Sequence, residues 1–260
     1  GDVYKRQVPV RICHAHSTFD RRSDHYWIKA ALRPFAAKDA TCRMACGRLA
    51  AQNLFRRRAK EAIILPNAID LERFAPDPLA KERLQLQGRN LLFVGRFAPQ
   101  KNLHFLLDAF ALALQRRPMT LLLLGAGAGE KALRERAARA ALSGRVRFIP
   151  QGDPAPWYAA ADAFVLPSLY EGFPVVGLEA QAAGLPCLFS DKITREADVC
   201  GGAAFLPLDR EAWAAAMAED APRLTDCAKR LQQAGYDIRQ EAGRLREVYD
   251  RALQSLVGEE

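Results

Sequence analysis

The feature that most constrains this chain is the alternation of short apolar segments with longer segments whose apolar residues recur at helical spacing. The segments Asn90–Val94 and Thr120–Leu124 are apolar at almost every position, which is typical of strands covered on both faces of a sheet. Between them, Leu103, Phe110 and Leu114 fall on one face of a helix. Strands that alternate with helices predict an α/β fold with a doubly wound parallel sheet.

Composition narrows the class of protein. The chain has 260 residues, 50% of them hydrophobic, which suffices for one large domain or two small ones. Its net charge is +8, and its densest basic run is Arg56-Arg57-Arg58 with Lys60. We interpret this run as a solvated helix face; the alternative is a surface that approaches anionic phospholipid or nucleotide phosphates. Nucleic acid is not expected as a partner, because aromatic and basic residues do not interleave.

The cysteines and the apolar runs bear on compartment and metal content. The six cysteines form no CxxC pair and have no histidine cluster near them, so we expect reduced, packed thiols and no zinc site. No apolar run is long enough to span a bilayer, and no signal-peptide h-region follows residue 7. A cytoplasmic protein is therefore expected, with the positive charge allowing peripheral contact at the inner face of the plasma membrane.

The sequence also predicts a non-native leader and a domain boundary. The string Asp2–Gln7 resembles the translation of a sequencing adapter, so residues 1–7 are interpreted as a non-native leader. A stretch of low hydrophobicity with Pro76 and Pro78 predicts a domain boundary. We expect domains over residues 8–75 and 76–225, followed by C-terminal helices over 226–260.

Polar residues gather in loops that follow predicted strands, and ligands of open parallel sheets bind at such strand ends. In the loop after Val94, the glycine Gly95 precedes Arg96, Lys101 and a helix start at Asn102, which can cap that helix. Backbone amides, a helix dipole and two cations suit a pyrophosphate. The alternative interpretation is a solvated basic loop.

A second loop, Gly125–Gly129, resembles a dinucleotide fingerprint only superficially. Its spacing is GxGxG, and we find no acidic residue on a following strand at the expected distance. A tight turn from strand to helix is the better interpretation.

A third loop, Pro167–Pro174, leads into a helix that carries Glu179. Pro174 suits the first helical turn, and the amides after Gly172 would face a phosphate. Glu171 and Glu179 could accept hydrogen bonds from a ribose and a sugar. The alternative, a solvated pair of glutamates on a helix, is weakened because Glu179 lies among apolar residues.

Several motifs occur together in one order, densest over residues 163–196. They are Pro66–Asp70, Val94-Gly95-Arg96 with Gln100-Lys101-Asn102, Ala161–Ser168 running into Tyr170–Pro174, Glu179–Pro186, and Ser190-Asp191 with Ile193–Glu196. This series resembles glycosyltransferase family 4, a large retaining group with the GT-B fold of two Rossmann-like domains. The family's first strand and glycine-rich loop are absent here, so the N-terminal domain is expected to be incomplete.

The resemblance implies roles for individual residues. Gly95, Arg96 and Lys101 would bind the donor diphosphate, Glu179 the ribose hydroxyls, and Glu171 the donor sugar, with no metal or other cofactor. The loop residues Gly172, Phe173 and Pro174 would complete the donor site. The histidines His14 and His16 resemble the family's strand-end histidine motif that faces the sugar; a satisfied turn is the alternative interpretation.

The resemblance therefore implies transfer of a sugar, with retention, from a UDP-linked donor to a glycan or lipid-linked acceptor in surface polysaccharide assembly. The leaving phosphate would serve as the base. Two alternatives stay open at this point. One is a truncated nucleotide-binding remnant without turnover, and the other is a GT-B-fold epimerase or phosphorylase, which the paired glutamates Glu171 and Glu179 disfavour.

Overall fold

The computed structural model describes residues 8–16, 27–28, 32, 35, 38–140 and 142–257. The expected leader over residues 1–7 lies outside them. The chain divides into two compact units, the first Gly1–Ala68 with Gly235–Glu260 and the second Ile69–Ala234. The assignment of an acceptor-binding domain over 8–75 and a donor-binding domain over 76–225 stays a prediction.

The described residues form strands and helices that alternate along the chain. The strands are β1 (Ile12–Ala15), β2 (Cys42–Ala45), β3 (Ile63–Ile64), β4 (Arg89–Val94), β5 (Met119–Leu124), β6 (Val146–Ile149), β7 (Ala163–Leu166), β8 (Cys187–Ser190) and β9 (Ala203–Leu206). The helices are α1 (Arg48–Phe55), α2 (Ala80–Arg83), α3 (Leu103–Arg116), α4 (Glu130–Arg139), α5 (Ala155–Ala160), α6 (Val175–Ala182), α7 (Arg210–Ala218), α8 (Cys227–Gln233) and α9 (Ile238–Val257). Among the described helices, none is both long and apolar enough to cross a bilayer.

The first unit contains a parallel sheet in the order β1-β2-β3. Its small core joins Ala15 of β1 and Ala45 of β2 to Phe55 of α1, and α9 belongs to the same unit. The basic run was expected on a helix face, but α1 ends at Phe55 and residues Arg56–Glu61 form a 3₁₀ helix. The expected solvation is confirmed, since the cations of the run are exposed.

The second unit contains a parallel sheet in the order β6-β5-β4-β7-β8-β9. Strand β4 pairs with β5 on one side and with β7 on the other, so that Leu91 lies opposite both Leu121 and Ala163. This order confirms the predicted doubly wound parallel sheet. The connection from β4 leads to β5 on one side, and the connection from β7 leads to β8 on the other side. Ligands bind where the strand order reverses in this way.

Both faces of this second sheet are covered. Every residue of β4 is buried, as the continuous apolar segment predicted. Helix α3 packs on α7, where the Phe105 ring meets the fully buried Trp213 edge-on at 5.8 Å between centroids. Burial of apolar side chains therefore holds α3 against α7.

Two predictions about the first residues of helices need correction. Helix α3 begins at Leu103 as expected, but Asn102 does not cap it with its side chain, because its backbone is left-handed at φ 56°. Helix α6 begins at Val175, which places Pro174 at the N-cap and not in the first turn. Helices α2 and α5 were not predicted, since elements of four and six residues are too short to show a helical period.

Glycines let the loops after β4 and β5 pack against each other. Gly95 donates a hydrogen bond to the Leu124 carbonyl at 3.0 Å, and Phe97 donates to the Ala126 carbonyl at 2.9 Å. Gly125 has φ +147°, and a Cβ atom there would overlap the carbonyl oxygen of Gly95. The GxGxG segment is thus a tight strand-to-helix turn, as predicted, whose missing side chains make room for the neighbouring loop.

We predict that Gly125→Ala destabilises the protein by about 2–4 kcal/mol, because the methyl group meets backbone at an unfavourable φ. Gly243→Ala is the matched control, since a Cβ at this helical position meets nothing within 4 Å. The control should gain about 0.5–1 kcal/mol from helix propensity. Denaturant unfolding of both variants measures the difference, and equal midpoints would contradict the packing of the two loops.

Candidate functional site

A cleft of about 410 Å³ opens at the carboxyl ends of the central strands of the second unit. The loop after β4 contributes Gly95 and Arg96, and the loop after β5 contributes Gly125. Gln151, in the loop after β6, and Glu179, from α6, complete the wall. Four separate segments therefore converge on one space at the switch point of the sheet, as the strand-end rule predicts.

Arg96 is the cation in the lining of this cleft. Its side chain is exposed, and it forms no ion pair with any residue in the described part of the chain. The backbone around it is rigid, because Ala98 donates to the Arg96 carbonyl at 2.9 Å and Gly95 is bound to β5. A guanidinium at a strand end is suited to a phosphate or carboxylate ligand.

Lys101 and Glu171 form an ion pair, with Nζ 2.6 Å from Oε1 and side chains only 15% and 9% exposed. Gln100 strengthens the contact, since its Nε2 donates to the Tyr170 carbonyl at 2.8 Å. Lys101 also adjoins the cleft, because its Cε lies 3.6 Å from where a Cβ of Gly95 would stand. The structure thus brings the predicted Lys101 and Glu171 together and ties the loop after β7 to the loop after β4.

Glu179 points from α6 toward the same cleft, and it is half-buried. Burial raises its pKa above the ordinary value of 4.5, while a hydrogen bond from Tyr158 and the charge of Arg73 counter part of that rise. The Tyr158 hydroxyl lies 2.9 Å from Oε2 of Glu179. A half-buried carboxylate with one oxygen already bound is suited to accept hydrogen bonds from ligand hydroxyls.

The loop before α6 holds the remaining predicted donor residues. Gly172 is exposed, Phe173 is half-buried and Pro174 is buried at the helix N-cap. Pro174 accepts a hydrogen bond from the amide of Gly177 at 2.9 Å. Val176, in the first turn of α6, lines the cleft, so the positive end of this helix lies beside it.

The histidines lie in the first unit, at the carboxyl end of β1. Their ring centroids are 3.9 Å apart, and Nδ1 of His16 is 3.2 Å from Oδ1 of Asn67. Burial lowers the pKa of His14 below 6.5, and the neighbouring His16 lowers it further. Nε2 of His14 is buried, and no described residue offers it a hydrogen bond. Both rings are therefore held as a pair, and their role toward a sugar stays a prediction.

Three parts of this site were not predicted. Gln151, Gly152 and Pro154 line the cleft, and the rule that ligands bind at strand ends, applied to β6, would have identified this segment. Arg73 contacts this segment through an ion pair, with its guanidinium 2.8 Å from Oδ1 of Asp153. Tyr158 carries no motif, because a tyrosine on a short unpredicted helix looks like an ordinary core residue. Among the described residues, no group of three potential metal-ligating side chains occurs.

Comparison with known proteins identifies the family of this chain. The family model described as glycosyl transferases group 1 matches residues 88–220. EpsF of Bacillus subtilis (strain 168), named as a glycosyltransferase, is 36% identical over 94% of this chain and 69% of its own length. The D-inositol 3-phosphate glycosyltransferase of Frankia alni is 40% identical over 47% of this chain, but the match covers only 34% of that relative.

Solved structures agree on the fold. HepE of Anabaena, in complex with UDP and glucose, superposes with a TM-score of 0.77 at 20% identity, covering 92% of this chain and 71% of HepE. Sucrose-phosphate synthase of Thermosynechococcus elongatus superposes with a TM-score of 0.78 at 23% identity, covering 94% and 68%. At these identities the superpositions establish the GT-B fold. The family model, which matches the sheet that forms the cleft, and the similarity to EpsF along nearly the whole chain show that this protein belongs to the group 1 glycosyltransferases.

Proposed function

We propose that this protein transfers a hexose or a related sugar from a UDP-linked donor to a glycan or lipid-linked acceptor, with retention, in the assembly of a surface polysaccharide. The observation that carries the proposal is the cleft at the switch point of the second sheet, which combines the cation Arg96 with the half-buried carboxylate Glu179. A nucleotide needs both kinds of group, a cation for the diphosphate and an acceptor for the ribose hydroxyls.

The donor would span the cleft in a defined direction. Arg96 and Lys101 bind the diphosphate, and the N-terminus of α6 adds a positive dipole. Glu179 accepts hydrogen bonds from the ribose. Glu171 contacts the sugar, and the exposed Gly172 with Phe173 offers backbone amides. The ion pair of Lys101 with Glu171 supports a diphosphate-binding cation next to a sugar-binding carboxylate.

These groups account for the chemistry without further components. The bond from the anomeric carbon to the diphosphate oxygen breaks, and the acceptor oxygen forms its bond on the same face of the sugar. The departing phosphate takes the proton of the acceptor hydroxyl. Negative charge grows on the diphosphate during this step, so preorganised cations such as Arg96 and Lys101 lower its barrier. We therefore propose a reaction that does not depend on a metal ion.

The relatives support this proposal through what their names state. HepE was crystallised with UDP and with UDP-glucose. A phosphatidyl-myo-inositol mannosyltransferase of Mycolicibacterium smegmatis is 36% identical over 62% of this chain, though over only 42% of its own length. A nucleotide-linked hexose as donor, and a hydroxyl on a glycan or a lipid-linked head group as acceptor, are consistent with both.

Arg96→Ala should weaken UDP binding by roughly 10- to 100-fold, because a charge-assisted contact to the diphosphate is lost. A thermal-shift titration with UDP, GDP and ADP, with and without magnesium, measures this. UDP at 100 times its dissociation constant should add about 2.7 kcal/mol of stability to the parent protein.

Arg145→Ala is the matched control, because it removes another exposed cation just before β6, at the opposite ends of the strands. The control should bind UDP like the parent protein. Equal affinity of Arg96→Ala and the parent would remove Arg96 from the site. Stabilisation by GDP or ADP alone would change the proposed donor class, and stabilisation only with magnesium would contradict metal-independent binding.

Glu171→Gln should keep UDP affinity within a few-fold, because the amide oxygen of Gln can still accept the hydrogen bond of Lys101. Sugar transfer should fall by roughly 100-fold or more, because the negative charge next to the sugar is lost. The measurement is release of UDP from UDP-hexoses in the presence of an acceptor, beside UDP binding. A variant that loses UDP affinity and transfer in parallel would reassign Glu171 to nucleotide binding.

We also propose that the exposed basic run of the first unit contacts anionic membrane at the inner face of the plasma membrane. Replacing Arg56, Arg57 and Lys60 by Glu leaves the pair of Arg58 with Glu61 intact, and it should abolish cosedimentation with vesicles rich in anionic lipid at low salt. The reversal Arg145→Glu serves as the control. Failure of the parent protein to cosediment would remove the membrane proposal while leaving the donor site untouched.

A further inference from the structure

A tyrosine of α5 reaches the carboxylate that would bind the ribose. The hydroxyl of Tyr158 lies 2.9 Å from Oε2 of Glu179 and 3.1 Å from the carbonyl oxygen of Val176. A phenol has one hydrogen, so Tyr158 donates to one of these two acceptors at a time. Within the described part of the chain, this is the hydrogen bond that the Glu179 carboxylate makes.

The tyrosine ring is locked by its neighbours. Tyr158 is 0% exposed. Phe74 packs edge-on against it at 5.7 Å between centroids, and Phe164 of β7 packs on it at the same distance with a tilt of 48°. Because the ring is packed on both sides, the position of the Tyr158 hydroxyl is set by the core. The Glu179 carboxylate must adopt the rotamer that reaches this hydroxyl.

The charged groups around Glu179 come from different elements. Arg73, in the segment before α2, contributes a favourable charge but is itself bound to Asp153 at 2.8 Å. Arg96 faces the cleft from the loop after β4. Tyr158 is thus the group that binds Glu179 directly, while Arg73 acts on it through space. With Oε2 held by the tyrosine, Oε1 is left for a ligand.

We propose that Tyr158 is a positioning residue, whose hydroxyl orients the Glu179 carboxylate so that it accepts hydrogen bonds from the ribose of the donor nucleotide. The inference rests on the proposed function, since it assumes a nucleotide in the cleft. Tyr158 touches neither sugar nor phosphate. It acts by removing the alternative orientations of Glu179 and by favouring its ionised form, which is the form that accepts two hydroxyl hydrogen bonds.

The first test needs no ligand. Tyr158→Phe removes one hydroxyl and keeps the packed ring, and the δ-carbon of Glu179 can be titrated by NMR in protein labelled with ¹³C-glutamate. A bond to the ionised carboxylate is lost, so the pKa of Glu179, already raised by burial, should rise further. Tyr249→Phe, a half-exposed tyrosine of α9, is the control and should leave the titration unchanged.

The second test compares UDP with 2′,3′-dideoxyuridine diphosphate, which lacks the ribose hydroxyls. Tyr158→Phe should weaken UDP binding about tenfold, since bonds to charged groups are worth at least that factor. The dideoxy nucleotide should bind both proteins equally. As pH falls, protonation of Glu179 ends its acceptor role, so UDP affinity should decline at a higher pH in Tyr158→Phe. In a Glu179→Gln background the tyrosine substitution should have no further effect.

The outcomes distinguish a failure of the positioning role of Tyr158 from a failure of the proposed function. An unchanged titration of Glu179, or an equal loss of affinity for both nucleotides, would overturn the positioning role and leave Tyr158 as a packing residue. A titration that shifts as expected in a protein that binds no nucleotide would overturn the proposed function, and the role toward ribose with it. A shifted titration with a loss specific to UDP would support both.

Discussion

The position of strand β4 between β5 and β7 is the constraint on which the rest of this structure depends. All residues of β4 are buried. The chain runs from β4 to β5 on one side, whereas it runs from β7 to β8 on the other side. The divergence of these two connections opens the cleft. Gly95, Gly125 and Gly127 then bring the adjacent loops close enough to share backbone hydrogen bonds, so that Arg96 is presented from a rigid turn.

The site contains two carboxylates in contrasting surroundings. Glu171 is neutralised by Lys101 at 2.6 Å, whereas Glu179 is held by a neutral phenol and by the more distant charge of Arg73. The first arrangement keeps a charge balanced next to the sugar position. The second leaves a carboxylate whose burial is only partly compensated, which is costly for folding and useful for ligand binding. The hydroxyls of a bound nucleotide would supply the hydrogen bonds that the protein leaves unmade.

Much of this was accessible from residue order alone. The run of apolar residues in β4 and β5 predicted buried parallel strands, and the spacing of Leu103, Phe110 and Leu114 predicted α3. The series of short motifs indicated the family. Local details were less accessible: Asn102 was expected to cap α3 and is instead left-handed, and α5 is too short to show a period. A cap depends on the backbone conformation of one residue, which neighbours impose and composition does not reveal.

The sequence by itself determined the parallel α/β architecture of the second unit, the family, and the residue types at the strand ends, because hydrophobic period and motif order are local properties of the chain. Only the tertiary structure decided which of these residues meet. Lys101 and Glu171 are 70 positions apart, and Tyr158 and Glu179 are 21 apart; their pairing requires the strand order β5-β4-β7 and the packing of α5 beside α6. Contacts between distant residues are set by how elements pack, and packing depends on the whole core at once.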